Sequence, residues 1–210
     1  MNIVAILAGG VGQRMGMSMP KQFLVFDGKT CLEHTISRFN NAKNIDQIVI
    51  AVHPDWIKYA VDLLKRSQFE CQIIPAGNNR SQSSYNALNF IDQHFQCDNV
   101  LIHDAVRPFV TDKLIDSCLV ELNNYDAVTV AVPVTETVIG VDNGFIKNIP
   151  DRRELFINQT PQAFKFQNIK QVYDMANNEN RLLDGFSDDC SVFLKYFPEK
   201  KIKIIPGEYK

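Results

Sequence analysis

Short, unbroken apolar runs recur along the first two thirds of the chain: 'NIVAIL' (2–7), 'QIVIAV' (47–52), 'CQIIPA' (71–76), 'NVLIHDA' (99–105) and 'AVTVAV' (127–132). They are rich in β-branched residues, the pattern of strands covered on both faces. Between them, apolar positions return every three or four residues. 'CLEHTISRFNNA' sets Leu32, Ile36 and Phe39 on one face, and 'DWIKYAVDLLKRS' gathers Ile57, Ala60, Val61 and Leu64. 'SQSSYNALNFIDQHF' does the same for Tyr85, Leu88, Ile91 and Phe95. These spacings predict amphipathic helices lying on a sheet. Strands alternating with helices imply an α/β fold with a doubly wound, mostly parallel sheet. Such sheets bind ligands at the carboxyl ends of their strands.

The pattern changes over 133–157, 'PVTETVIGVDNGFIKNIPDRRELFI', where polar and apolar residues alternate around the turn signal 'DNG'. This predicts a protruding β-arm or hairpin. A lone hairpin is marginal in water, so the arm is expected to pack against something, a second subunit being one candidate. Helical patterns follow at about 167–178 and 187–196, then a last strand, 'KIKIIP'. With no internal repeat, low-complexity tract or linker, residues 1–210 read as a single domain.

Composition narrows the function classes. The net charge is −2, so no global positive field argues for nucleic acid or an anionic membrane as partner. An anion site must be built locally. The five cysteines are scattered and show no zinc spacing, which fits reduced, mostly buried thiols. No segment has the length of a membrane span or the layout of a signal peptide, so a soluble, cytoplasmic protein is expected.

The local anion site is suggested by 'LAGGVGQRMGMSMPKQF' (7–23). Gly9, Gly10 and Gly12 follow the first strand directly, letting main-chain N–H groups approach a ligand closely. Alone, such a turn is equally a tight strand-to-helix connection. A phosphate-binding GxxxxGK[ST] is absent, and a dinucleotide-binding GxGxxG fails because position 15 is Met15. Arg14 and Lys21, the latter aimed by the restricted backbone of Pro20, add more positive charge than one diphosphate needs. Glycines and cations together predict polyphosphate binding.

'NVLIHDAVRPF' ends the fourth strand with His103, Asp104 and Arg107. The strand's carboxyl end should bring Asp104 near the glycine turn. An acid beside a polyphosphate implies an intervening cation, with Mg²⁺ at Asp104 the natural choice. A simple Asp104–Arg107 pair closing the strand is the alternative. His103 reads as a packed strand-end histidine rather than a base.

Four segments, 'LAGGVGQRMGMSMPKQF', 'GNNRSQS', 'HDAVRPF' and 'NQTPQAF', occur in the order and spacing of one family. The chain resembles the cytidylyltransferases that activate sugar-alcohol phosphates, the methylerythritol-phosphate and ribitol-phosphate enzymes. 'LAGG' against the methylerythritol enzymes' usual 'PAAG', and 'HDAVRPF' against 'HDAAR', lean toward the ribitol-phosphate members. The resemblance implies a Rossmann-like nucleotidyltransferase sheet that uses CTP, a polyol phosphate and Mg²⁺ or another divalent cation.

By motif, it implies that Leu7, Ala8, Gly9, Gly10 and Gly12 wrap the CTP phosphates, with Arg14 and Lys21 at the reacting centre. Gly77, Asn78 and Ser83 would contact cytosine and ribose, although family members often carry Asp where Asn78 stands. Asp104 would assist the metal and ribose region. Arg107, Thr137, Arg152 and Thr160 would hold the sugar phosphate. The arm is implied to cross to a partner in a homodimer, so that Thr137 and Arg152 serve the neighbour's site. Family members continue after 'GEYK' with N-I-K-[IV]-T, whose lysine helps bind substrate phosphate; this sequence ends at Lys210. Each residue also has a plainer reading: a strand threonine for Thr137, a solvated charge cluster for Arg152, a turn for Thr160. A nicotinamide oxidoreductase and a catalytically silent CTP-binding protein are the readings from other classes.

Overall fold

The computed structural model describes residues 1–11, 19–183 and 186–209. In chain order the elements are β1 (Asn2–Ala8), β2 (Val25–Phe26), β3 (Lys29–Thr30), α1 (Cys31–Asn41), β4 (Gln47–Val52), α2 (Ile57–Ser67), β5 (Gln72–Pro75), α3 (Arg80–His94), β6 (Asn99–Asp104) and α4 (Asp112–Glu121). They continue with β7 (Ala127–Pro133), β8 (Gly140–Asp142), β9 (Phe145–Asn148), β10 (Phe156–Lys165), α5 (Phe166–Asn178), α6 (Asp189–Tyr196) and β11 (Ile202–Pro206).

Seven strands form one sheet in the order β11-β7-β10-β6-β1-β4-β5. All neighbours are parallel except β10, which runs antiparallel to both β6 and β7. The expected α/β, doubly wound sheet is therefore present, with one reversed strand inside it.

The alternation of side chains along β1 shows why both faces need helices. Val4, Ile6 and Ala8 join a core with Leu32, Ile36 and Phe39 of α1, Leu63 and Leu64 of α2 and Ile115 of α4. Ile3, Ala5 and Leu7 point the other way, into Leu88 and Ile91 of α3, Ile169 and Val172 of α5 and Phe193 of α6. At about 25 cal/mol per Å² of apolar surface removed from water, these two layers supply the main drive for folding.

Side chains cap the helices. Thr30 and Glu33 form a reciprocal capping box on α1, Asn79 accepts from the Gln82 N–H at the start of α3, and Asp188 with Ser191 boxes α6. A helix outside the apolar pattern described above is α4, capped by Thr111 and burying Ile115, Cys118 and Leu119.

The arm leaves the sheet after Pro133 and returns at Phe156, which pairs with Pro133. Within it β8 and β9 form an antiparallel hairpin. Its turn is the 'DNG' signal: Asn143 (φ 48°) and Gly144 (φ 84°) both take left-handed angles, as a two-residue hairpin turn demands. All five cysteines are free thiols, four of them buried. Among the described residues no helix is long and apolar enough to cross a membrane.

Candidate active site

The chain order reverses around β1: β4 and β5 lie on one side, β6 on the other. A crevice therefore opens at the carboxyl ends of β1 and β6. There Leu7 pairs with Asp104, and the Ala105 N–H donates to the Leu7 carbonyl at 3.0 Å. The glycine turn thus leaves the sheet beside the acid.

Close approach requires glycine in this turn. A β-carbon on Gly9 would lie 2.7 Å from the Ala76 β-carbon and 3.3 Å from Ser83 Oγ. One on Gly77 would lie 2.3 Å from the Gln82 β-carbon. The two loops are packed directly together at Gly9, whereas a β-carbon on Gly10 would meet nothing within 4 Å. Gln22, almost fully buried, fastens the turn from the other side: its Nε2 donates to the carbonyls of Ala8 (2.8 Å) and Gly10 (2.9 Å). Lys21 immediately precedes Gln22, in a single 3-10 turn (Lys21–Phe23) that follows extended Pro20, and it is exposed. Gly12 and Arg14 lie outside the described residues.

At α3, the Ser83 hydroxyl accepts from the Gly77 N–H (3.1 Å) and donates to the Asn79 carbonyl (2.8 Å). Ser83 is buried and spends both bonds on the loop, whereas Asn78 is exposed. The Asn78 N–H is held by Gln82 Oε1 at 2.9 Å.

Asp104 is the meeting point. Its Oδ2 lies 3.3 Å from Arg107 Nε and its Oδ1 3.5 Å from Arg80 Nε. Its backbone N–H donates to Thr160 Oγ1 at 3.2 Å. Two adjoining cavities share Asp104, Arg107, Gln159 and Thr160. One, of about 430 Å³, is walled by Val106, Phe109 and Leu114 and by the 206–208 segment. The other, of about 280 Å³, reaches Arg80 and Asp188. Thr137 and Arg152 line neither cavity; both are exposed on the arm, where Arg152 Nη1 donates to the Thr135 carbonyl at 3.2 Å.

His103 is packed, as expected of a strand-end histidine. It has no exposed surface, stands edge-on to Phe39, and its Nε2–H donates to the Arg107 carbonyl at 3.0 Å. Burial pushes its imidazole down to about 4, so the ring is neutral near pH 7.

Sequence reasoning passed over Arg80, Asp189 and Gln162. Arg80 Nη1 lies 2.7 Å from Oδ2 of the fully buried Asp189. Gln162 Oε1 accepts from the N–H groups of Asp189 (3.0 Å) and Cys190 (3.1 Å). The available signals were an arginine inside 'GNNRSQS' and adjacent acids opening a helix in 'SDDCS'.

Among the described residues no group of three His, Cys, Asp or Glu side chains could hold a metal ion. Asp104 is a single carboxylate. Its two oxygens face the guanidinium groups of Arg80 and Arg107, so the Asp104–Arg107 pair expected as the alternative to a metal is present.

A family model, IspD: 2-C-methyl-D-erythritol 4-phosphate cytidylyltransferase, matches residues 2–210. The chain belongs to this family. It is therefore a cytidylyltransferase, an enzyme of the nucleotidyltransferase class.

The IspD-family chain is 39% identical over 210 residues to a bifunctional ribulose 5-phosphate reductase/CDP-ribitol pyrophosphorylase of Haemophilus influenzae, covering 98% of this chain and 44% of that protein. It is 38% identical to the 2-C-methyl-D-erythritol 4-phosphate cytidylyltransferase of Thermobifida fusca (97% of this chain, 84% of that one). It is 32% identical to the ribitol-5-phosphate cytidylyltransferase of Lactiplantibacillus plantarum (97% and 88%). Among solved structures, 4-diphosphocytidyl-2C-methyl-D-erythritol synthase of Anaerococcus prevotii superposes with a TM-score of 0.84 at 27% identity, covering 100% of this chain and 88% of that one.

Proposed function

We propose that this IspD-family enzyme transfers CMP from CTP to D-ribitol 5-phosphate, giving CDP-ribitol and pyrophosphate. The observation that carries the acceptor assignment is the 39% identity, across 98% of this chain, to the protein named for CDP-ribitol pyrophosphorylase activity. 'LAGG' and 'HDAVRPF' lean the same way. The second reading, 2-C-methyl-D-erythritol 4-phosphate as acceptor, is favoured by the 38% identity to the Thermobifida fusca enzyme and by the larger number of relatives so named.

The nucleophile is a phosphate oxygen of the acceptor, already anionic near neutral pH, so the site needs no general base. That suits a crevice in which His103 is buried and bonded to the backbone. One P–O bond forms at the α-phosphorus of CTP while the bond to the pyrophosphate leaving group breaks. The barrier lies in bringing two anions together and holding charge on a five-coordinate phosphorus. Preorganised donors lower it. On this reading the Ala8–Gly12 turn, led by Leu7, offers N–H groups to the triphosphate, and Arg14 and Lys21 bind the phosphates at the reacting centre. Gly77 and Asn78 face the cytosine end, with Ser83 holding their loop. Arg107 and Thr160 grip the acceptor phosphate. Asp104 would take Mg²⁺ brought by the nucleotide, and that ion would neutralise phosphate charge.

The arm supplies the remaining ligands. Its exposed apolar residues, Phe145 (78% exposed) and Ile146 (62%), want cover. A second copy of the chain provides it, placing Thr137 and Arg152 at the partner's crevice. The test is pyrophosphate release from CTP and Mg²⁺ with the two acceptors in parallel. Release with ribitol 5-phosphate alone supports the assignment; release with only the methyl-branched acceptor replaces it.

A further inference from the structure

The buried ion pair between Arg80 and Asp189 lies outside the assignments above and has an unusual cost. Asp189 has no exposed surface, and taking a carboxylate out of water is costly before any partner is counted. Apolar side chains of similar size would serve stability as well or better. A buried charge pair is therefore informative when one of its members reaches a functional cavity.

Arg80 does so. It is the first residue of α3, between Ala76 and Ser83, which lie against Gly9 of the glycine turn. Its guanidinium spans two carboxylates, Nη1 at 2.7 Å from Asp189 Oδ2 and Nε at 3.5 Å from Asp104 Oδ1. It lines the smaller cavity together with Asp104, Arg107 and Thr160.

Asp189 is itself over-determined. Its Oδ1 accepts from the Tyr173 hydroxyl at 2.6 Å, and its backbone N–H is held by Gln162 Oε1 at 3.0 Å. Tyr173 has no exposed surface, and burial together with the Asp189 charge holds it well above its ordinary pKa, so it remains a neutral donor. A chain of contacts, Tyr173–Asp189–Arg80–Asp104, thus runs from the buried face of α5 to the crevice.

We propose that Asp189 is a positioning residue of the nucleotide site: it clamps the Arg80 guanidinium beside Asp104 and shares its charge, so that the α3 end of the crevice is preset for CTP. The proposal rests on reading this crevice as the CTP site. A merely structural ion pair between α3 and α6 would change stability and leave CTP affinity alone.

A double-mutant cycle separates the two, because residues acting in one chain are not additive. CTP affinity is measured by calorimetry on the full chain carrying Asp189→Asn, Arg80→Met, or both, with thermal unfolding recorded for each. Asp189→Asn is expected to weaken CTP by about tenfold when Arg80 is present. In the Arg80→Met background the same change should have less than about a twofold effect. Tyr173→Phe, which keeps every charge, should weaken CTP by about threefold only when Arg80 is present, and it carries the test if Asp189→Asn does not fold. Unchanged affinity in Asp189→Asn or, where that fails to fold, in Tyr173→Phe overturns the proposal, as does equal weakening in both backgrounds. Failure of the unaltered chain to bind CTP overturns the reading of the crevice along with it.

Discussion

The backbone N–H of Asp104 donates to the hydroxyl of Thr160 at 3.2 Å, tying the end of β6 to a residue 56 positions later in β10. Thr160 sits where the β7–β10 register shifts between Gln159 and Gln162. Such a bulge re-aims side chains beside a site. Thr160→Val should leave the Asp104 N–H without its acceptor and cost about 1–3 kcal/mol. It should also raise KM for the acceptor phosphate about tenfold. Thr160→Ser should restore most of both, as read by urea unfolding and steady-state kinetics. A valine variant with unchanged stability and KM would show that this contact positions nothing.

Lys21 is exposed and makes no contribution to the core, yet it adjoins Gln22, whose amide is fixed to the glycine turn. On the proposed mechanism Lys21 is a cation of the reacting centre, and removing such a group costs roughly 3–4 kcal/mol of transition-state stabilisation, by analogy with oxyanion-hole donors. Lys21→Ala should lower kcat by at least about two orders of magnitude with an unchanged unfolding midpoint. Near-normal turnover would remove Lys21 from the mechanism.

Much of this architecture is legible in the chain because β1, β4 and β6 are buried on both faces and therefore read as unbroken apolar runs. β10 hides for the opposite reason. Its segment 'FINQTPQAFK' carries polar side chains and a proline, which argue against a central strand. The structure resolves the conflict with a bulge at Thr160 and Pro161, and by setting the buried Gln162 amide to work on the α6 N–H groups. The segment was visible as a site motif but not as a strand. Within the site, Asp104 and Arg107 are neighbours in sequence, so their pairing could be foreseen. Arg80 and Asp189 come from helices on either side of β6 and β10 in sequence, and only the folded sheet brings them together. Nothing in local spacing reports such a contact.

The arm makes a separable prediction. In the proposed dimer each crevice combines Asp104 of one chain with Arg152 of the other. Chains carrying Asp104→Asn and Arg152→Ala should each be nearly inactive. Mixed and allowed to exchange, half of the dimers become heterodimers with one intact site each, so activity should recover to about a quarter of the unaltered level. Phe145→Glu with Ile146→Glu should shift sedimentation from dimer to monomer. Monomeric sedimentation of the unaltered chain, or no recovery on mixing despite heterodimer formation, would confine each site to a single chain.

His103 provides a pH signature of the site's foundation. Its ring is wholly buried, bonded through Nε2 to the Arg107 carbonyl, and burial lowers its pKa to about 4. In the unfolded chain the same group titrates near its ordinary value of about 6.5. Between these values the unfolded state binds the proton and the folded state does not, so stability rises with pH across this window and falls as the solution is acidified. The loss begins below about pH 6.5 and amounts to about 3 kcal/mol once the folded-state value is reached. Glutamine can donate to the same carbonyl but does not titrate. His103→Gln should therefore flatten the dependence of unfolding free energy on pH between about 4 and 6.5, whatever it does to stability at pH 7. Urea titrations at pH 7, 6 and 5 give the slopes. Parallel slopes for the two proteins would show that His103 takes up its proton equally in both states.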